Sequence, residues 1–160
     1  MSKNLWIKES DRYTDRAIEL HDENLYGNRD QIELSNNIYN ATKTFKSLPR
    51  EVLDIGCAFG GTIFELKNKF EHTRFFGIDP GENSIKLANK NLKNERISFL
   101  EGFSDDIPFQ DNKFDIVILT YVLQWIPRNL LIKTISEVDR VLKKKSYKDA
   151  IISSVFPVVL

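Results

Sequence analysis

A glycine-rich turn between two acidic residues is the part of this sequence whose residue types could do chemistry. The turn reads Asp54-Ile55-Gly56-Cys57-Ala58-Phe59-Gly60-Gly61 and follows a short apolar run. Glycines let backbone N–H groups approach a ligand closely, and the N-terminus of a following helix favours negative charge. Asp79 stands 25 residues after Asp54, at the end of the next apolar run. A carboxylate there can accept hydrogen bonds from the vicinal hydroxyls of a ribose, so the pair predicts a nucleoside-containing ligand.

The spacing of the glycines limits which nucleoside this is. The motif G-x-G-x-x-G is typical of a dinucleotide-binding site. This turn instead has Gly56-x-Ala58-x-Gly60-Gly61, with Asp54 two residues before it. A carboxylate at that place repels a pyrophosphate and suits a cationic ligand, such as an amino group or a sulfonium. The turn therefore favours a cationic nucleoside and disfavours NAD.

The elements that must position these residues alternate between strands and helices. Apolar runs predict strands at 51–55, 74–78, 97–100, 114–119 and 150–156, and apolar residues three or four apart predict helices around 29–46, 62–70, 85–92 and 131–142. This order predicts an α/β fold, a doubly wound, mostly parallel sheet with helices on both faces. Ligands of such sheets bind at the carboxyl ends of the strands. Residues 1–28 are polar with scattered aromatics and predict one or two short helices plus a loop.

Composition excludes several classes of protein. The chain has 160 residues, equal numbers of basic and acidic residues, one cysteine and two histidines. The balanced charge gives no reason to expect a nucleic-acid partner. One cysteine cannot form an internal disulfide, and three such side chains cannot complete a four-ligand zinc site, so we expect no metal. We find no apolar run of membrane-spanning length and no secretory signal, and we expect a cytoplasmic protein without a membrane partner.

Five segments together resemble the class I S-adenosylmethionine-dependent methyltransferases of the small-molecule branch. They are VLDIGCAFG at 52–60, FGIDP at 76–80, IPFQDNKFDIV at 107–117, YVLQWI at 121–126 and EVDRVLK at 137–143. They occur in the order that the family has. The resemblance implies a Rossmann-like methyltransferase fold, the cofactor S-adenosyl-L-methionine and a core at residues 49–160 behind a helical lead-in segment at 1–48.

The same resemblance implies roles for individual residues. Asp54 and the turn from Gly56 to Gly60, including Cys57 and Ala58, would hold the methionine end of the cofactor. Asp79 would bind the ribose and Pro80 would abut the adenine. The expected cofactor contacts also include Phe103, Ser104, Asp105 and Thr120. Three departures from the family pattern stand out: Ala58 replaces a commoner glycine, Phe103 replaces a frequent aspartate, and Lys143-Lys144-Lys145-Ser146-Tyr147 replaces a glycine pair.

Methyl transfer is an in-line displacement at a sulfonium methyl, and it needs alignment more than a particular catalytic side chain. Tyr121 and Gln124 lie beside the expected methyl position and are the catalytic candidates, while Tyr13 and His21 are weaker ones. The nucleic-acid motif D/N-P-P-Y/F is absent after the fourth strand, so we expect a small-molecule acceptor.

The length of the chain leaves alternatives open. The family's sheet has seven strands, whereas this chain stops after the fifth, and the last two strands are expected to be lacking. Truncation is the favoured interpretation. The alternatives are that a second chain in a homodimer covers the edge of strand five, or that the N-terminal segment covers it. A cofactor-binding module or scaffold of the same fold is the alternative function, and an NAD-type Rossmann protein is a further one.

Overall fold

A four-stranded parallel sheet forms the centre of the computed structural model, which describes residues 3–21, 25–43 and 47–144. The strands are β1 (Glu51–Ile55), β2 (Arg74–Asp79), β3 (Ile97–Glu101) and β4 (Ile116–Ile118). Their order is β3-β2-β1-β4, and all three pairings are parallel. The strand order therefore reverses at β1, which places a ligand-binding crevice between the carboxyl ends of β1 and β4. The predicted doubly wound fold is confirmed.

Five helices among the described residues surround this sheet. They are α1 (Lys3–His21), α2 (Arg29–Thr42), α3 (Gly61–Leu66), α4 (Glu82–Leu92) and α5 (Leu131–Val141), with a single 3-10 turn at Arg128–Leu130 before α5. The helices predicted from apolar spacing are present, although α3 is shorter than expected. For residues 1–28 we expect one or two short helices and a loop; α1 is one continuous helix of 19 residues, longer than expected.

The face that α1 buries explains why this helix is longer than the sequence predicts. Trp6, Thr14 and Ala17 are buried, and only two of these three are apolar. A helix face that carries serine and threonine gives a weak signal of apolar periodicity, since that signal consists of apolar residues that recur on one side of the helix.

Apolar side chains cover both faces of the sheet. Along β1, Val52 belongs to a cluster with Ile63 and Phe75 on one side, whereas Leu53 belongs to a cluster with Val138 on the other. Strands buried on both faces are characteristic of parallel sheets between two layers of helices. This packing fixes the carboxyl ends of the strands on which the candidate site is built.

Two of the segments that carry the family resemblance are joined by Arg140. Its guanidinium donates hydrogen bonds to the carbonyl oxygens of Ile107 (2.9 Å) and Phe109 (2.8 Å), and to the carboxylates of Asp111 (2.9 Å) and Glu137 (2.7 Å). The loop before β4 is thereby held on α5. These residues support the fold and do not reach the crevice.

Some expectations lie outside the described residues. The predicted fifth strand at 150–156 is among them, as is the side chain of His21. Within the three described ranges, no helix is both long and apolar enough to cross a membrane.

Candidate functional site

A cavity of about 880 Å³ lies at the carboxyl ends of β1, β2 and β4, beneath α1 and the start of α2. This volume falls within the roughly 300–1,000 Å³ of small-molecule sites. It brings together eight of the predicted site residues, which are Gly56, Cys57, Ala58, Asp79, Pro80, Thr120, Tyr121 and Gln124. The candidate site is therefore assembled from strand ends that are far apart in sequence.

The glycine-rich turn forms the inner wall of this cavity. The N–H groups of Gly56 and Cys57 both donate to the carbonyl oxygen of Ile78, at 2.8 and 3.1 Å, which ties the turn to β2. Gly56 has a φ of 72°, and a Cβ there would lie 2.2 Å from Cγ2 of Val122, so glycine is required. Ala58 also adopts the left-handed region, with a φ of 45°. Its side chain makes that conformation unfavourable.

Asp79 is the most fully hydrogen-bonded carboxylate of the site. Its Oδ1 accepts hydrogen bonds from the N–H of Gly81 at 2.8 Å and from the hydroxyl of Ser10, and its Oδ2 accepts one from the N–H of Ala58 at 3.0 Å. Burial raises the pKa of Asp79, and these three hydrogen bonds oppose that rise. Only 3% of Asp79 is exposed, because Ser10 covers it. Sequence reasoning missed Ser10, since one serine on a polar helix carries no signal.

Further contacts hold α1 over the turn between β2 and α4. The hydroxyls of Thr14 and Ser84 are 2.6 Å apart, and the N–H of Asn83 donates to Oδ1 of Asp11 at 3.0 Å. Nearer its start, α1 places Lys3 in an ion pair with Asp105 at 3.0 Å. The helix therefore closes the cavity on the side of Asp79.

Asp54 lies behind the glycine turn and is not on the cavity wall. It is 1% exposed, and burial, reinforced by the negative charge of Asp79, raises its pKa to about 8. Within the described part of the chain, its Oδ2 has no hydrogen-bond partner. A buried carboxyl oxygen without a hydrogen-bond donor is unfavourable. A proton on Asp54 or a cation beside the turn would therefore stabilise this carboxyl.

Gln31 of α2 presents a second such oxygen. Its Oε1 is buried and without a hydrogen-bond partner among the described residues, and its side chain lines the cavity. The Gln31 amide packs on Gly61, where an added Cβ would lie 2.2 Å from Nε2. Gln31 and Asp54 thus place unpaired acceptors at the two ends of the glycine turn. Sequence reasoning missed Gln31, because no local motif includes it.

The segment after β4 forms the outer wall with side chains that stay exposed. Tyr121 has a φ of 58°, in the left-handed region, and its residue is 48% exposed. Gln124 and Trp125 line the same wall, and Trp125 is 43% exposed. Strained backbone that presents a bulky side chain to a cavity is frequent at functional sites.

Besides Asp54, the three predicted cofactor contacts in the loop after β3 do not reach the cavity. Phe103 packs edge-on against Trp6, with ring centroids 5.5 Å apart, and Ser104 lies 2.9 Å from the hydroxyl of Thr134. Asp105 is 2% exposed and pairs with Lys3 from α1. The contacts that α1 makes with this loop keep it from the cavity wall. Gly60 is also behind the wall, packed on Phe99.

The pattern of a protein family described as a methyltransferase domain matches residues 52–145. The chain belongs to this family. The match includes the glycine turn, Asp79 and the whole segment after β4, so the geometry above is that of a methyltransferase domain.

Curated relatives and solved structures agree with this membership. Over 143 residues, which is 89% of its length, this chain is 29% identical to a phthiotriol/phenolphthiotriol dimycocerosates methyltransferase of Mycobacterium ulcerans and covers 49% of it. The chain is also 33% identical to the demethylmenaquinone methyltransferase of Lactococcus lactis over 96 residues. Those residues are 58% of this chain and cover 37% of the relative. The chain spans about half the length, or less, of these relatives.

A solved structure shows the same fold. A protein of Methanococcus maripaludis assigned as an S-adenosyl-L-methionine-dependent methyltransferase superposes with a TM-score of 0.70 at 20% identity, covering 93% of this chain and 64% of its own. The Rossmann-like architecture of the methyltransferase domain is thereby shown independently of its sequence motifs.

The residues present suit S-adenosyl-L-methionine. The unpaired oxygens of Asp54 and Gln31 flank the turn where a positively charged methionine end would lie, and both are acceptors. The carboxylate of Asp79 can accept hydrogen bonds from a ribose once the hydroxyl of Ser10 no longer donates to it. The described part of the methyltransferase domain contains no group of three or more side chains that could hold a metal ion.

Proposed function

We propose that this chain is an S-adenosyl-L-methionine-dependent methyltransferase that acts on a small-molecule acceptor by in-line displacement. One observation carries the proposal: the same glycine turn is flanked by the unpaired buried carboxyl of Asp54 and by Asp79 on the cavity wall. A carboxyl beside the turn suits a cation, and a carboxylate at the end of β2 suits a ribose. The relatives support a small acceptor, since they are named for phthiotriol dimycocerosates and demethylmenaquinone.

Each part of the chain has a separate task in this proposal. The core predicted at 49–160 binds the cofactor, and α1 and α2 of the predicted lead-in segment at 1–48 cover it. Asp79 binds the ribose, Pro80 lies against the adenine, and Gln31 faces the charged methionine end, with Asp54 behind the turn beside it. When bound, the cofactor supplies an electrophilic methyl group. A cytoplasmic location and a dimer covering the predicted fifth strand stay predictions.

Tyr121 and Gln124 face the acceptor. Both line the cavity from the segment after β4, and Gly56 of the glycine turn lines the same cavity. Their polar ends can hold an acceptor atom in line with the sulfur and exclude water from it. A Tyr121→Phe variant keeps the ring and removes the hydroxyl, and Gln124→Ala removes the amide. We expect both to lower kcat by about tenfold or more, and neither to change cofactor affinity.

Calorimetry tests the cofactor. We expect S-adenosylmethionine and S-adenosylhomocysteine to bind at micromolar strength and NAD not to bind. Asp79→Ala should abolish binding, whereas Asp106→Ala, at an exposed aspartate away from the cavity wall, should leave it unchanged. Binding of NAD alone, or of none of the three, would overturn the proposal.

A cofactor-binding module without transferase activity is the second candidate. The hydrogen bond from Ser10 to Asp79 favours it, because α1 covers the carboxylate that a ribose would need. Transfer of radiolabel from S-adenosylmethionine to a metabolite extract separates the two candidates. Binding without any labelled product would favour the module.

A further inference from the structure

The outer half of the cavity has a chemical character that the cofactor does not explain. The inner half is the glycine turn with Asp79, whereas the outer half lies between α1, the first residues of α2 and the segment after β4. The cavity volume of about 880 Å³ is near the upper end of the roughly 300–1,000 Å³ of ligand sites, which leaves space for a second compound.

Exposed aromatic rings line this outer half. Tyr13 is 60% exposed, and its ring is stacked on Phe59 at a centroid distance of 6.3 Å and an interplanar angle of 9°. Tyr121 and Trp125 add two more half-exposed rings from the opposite wall. Three large rings that remain in solvent around one cavity favour a ligand with a flat apolar body.

Two arginines that line the cavity have no ion-pair partner among the described residues. Arg16 of α1 and Arg29 of α2 line the cavity, and no carboxylate of the described residues lies within 4.0 Å of either guanidinium. A third lining arginine, Arg12, is 3.7 Å from Glu9.

The carboxylates of the cavity do not form ion pairs with these two arginines. Three described carboxylates line it: Glu9 pairs with Arg12, Asp79 accepts three hydrogen bonds, and Asp30 has no ion-pair partner within 4.0 Å among the described residues. Arginine is the side chain best shaped to bind carboxylate or phosphate oxygens with two parallel hydrogen bonds. The outer half thus offers positive charge on two helices that face one space.

We infer that the outer half is the acceptor subsite and that it takes a flat, apolar compound carrying an anionic group. Arg16 and Arg29 bind the anion, and Tyr13, Tyr121 and Trp125 enclose the body. This inference rests on the proposed function for the identity of the inner ligand. Because both arginines are exposed, the anion is an anchor and is not the atom that receives the methyl group.

The test compares two probes of equal shape. 2-Naphthoate and the neutral 2-naphthamide are titrated into the chain with saturating S-adenosylhomocysteine, and tryptophan fluorescence reports binding. We expect naphthoate to bind about tenfold or more tightly than naphthamide, since hydrogen bonds to charged groups are the stronger ones. The Arg16→Gln/Arg29→Gln double variant should bind both probes equally.

A matched control is Arg50→Gln, at an exposed arginine before β1 whose side chain pairs with no described carboxylate. It should keep the preference for naphthoate. Equal affinity of the two probes for the unmodified chain, or a preference that survives in the double variant, would overturn the inference.

Calorimetry with S-adenosylhomocysteine on the same samples tests the proposed function separately. If that compound does not bind, the proposed function fails, and the naphthoate preference measured without it decides the anion subsite alone.

Discussion

The hydroxyl of Ser10 donates a hydrogen bond to Oδ1 of Asp79, although the two residues are 69 positions apart in the chain. The bond joins α1 to the carboxylate at the end of β2. In the proposed function a ribose hydroxyl donates to this same carboxylate. Ser10 and the cofactor therefore compete for Asp79, and α1 has to move Ser10 away from this carboxylate before the ribose can bind.

Removing the Ser10 hydroxyl tests this competition. In Ser10→Ala the ribose no longer displaces a donor, so we expect S-adenosylhomocysteine to bind about three- to tenfold more tightly, as a hydrogen bond worth about 1 kcal/mol implies. Calorimetry measures the affinity. Ser136→Ala, at an exposed serine of α5, controls for the change in helix propensity. Weaker binding by Ser10→Ala would mean that Ser10 orients Asp79 for the cofactor.

Ala58 is the residue of the glycine turn whose replacement should stabilise the protein. Its φ of 45° is unfavourable for an alanine and acceptable for glycine. We expect Ala58→Gly to raise the free energy of unfolding by about 1 kcal/mol and Tm by roughly 2–4 °C. Ala88→Gly, inside α4, should have the opposite effect, because glycine is unfavourable in a helix interior. A lower Tm for Ala58→Gly would contradict this account of the turn.

The protonation of Asp54 should make stability depend on pH. Its pKa is about 8 in the folded chain and 3.8 as the ordinary value, so between these values the folded state holds a proton that the unfolded state has lost. The contribution of Asp54 therefore falls as pH rises from about 4 to 8. Relative to the natural chain, Asp54→Asn should gain on the order of a few kcal/mol across this window.

Urea denaturation of both proteins at several pH values between 4 and 9 measures this difference. The difference between the two proteins removes the parallel contribution of Asp79, whose pKa is also raised. Two curves that run parallel over the whole range would show that Asp54 is ionised in the folded chain.

Arg140 should be important for stability rather than for binding. It joins α5 to the carbonyl oxygens of Ile107 and Phe109, which would lose their donor in Arg140→Ala. We expect a loss of about 2 kcal/mol or more, only partly recovered by lysine, whose single ammonium cannot reproduce the planar fork. Arg74→Ala, which breaks an ion pair with Glu51 at a 61% exposed side chain, should change stability by less than about 1 kcal/mol. Similar losses for both variants, measured by urea denaturation, would contradict the role of Arg140.

Several features of the fold could be predicted because their signals are local. Strands β1 to β3 are within a residue of their predicted bounds, since an apolar run that ends at glycine or aspartate marks both a buried strand and its end. The predicted fourth strand at 114–119 was too long, and β4 pairs only over Ile116–Ile118. Phe114 pairs elsewhere: it forms an isolated parallel bridge with Leu142, and its N–H donates to the carbonyl oxygen of Val141 at 2.9 Å.

The sequence by itself determined the doubly wound sheet, the glycine turn and the aspartates at the carboxyl ends of β1 and β2, because periodicity and turn chemistry act between near neighbours. Only the tertiary structure decided that Ser10 covers Asp79, that Gln31 lies on Gly61 and that Phe103, Ser104 and Asp105 are turned from the cavity. Those contacts join α1 and α2 to distant loops through single polar or aromatic side chains, which leave no repeating pattern. The protonation of Asp54 was also decided there, since burial away from water sets its pKa.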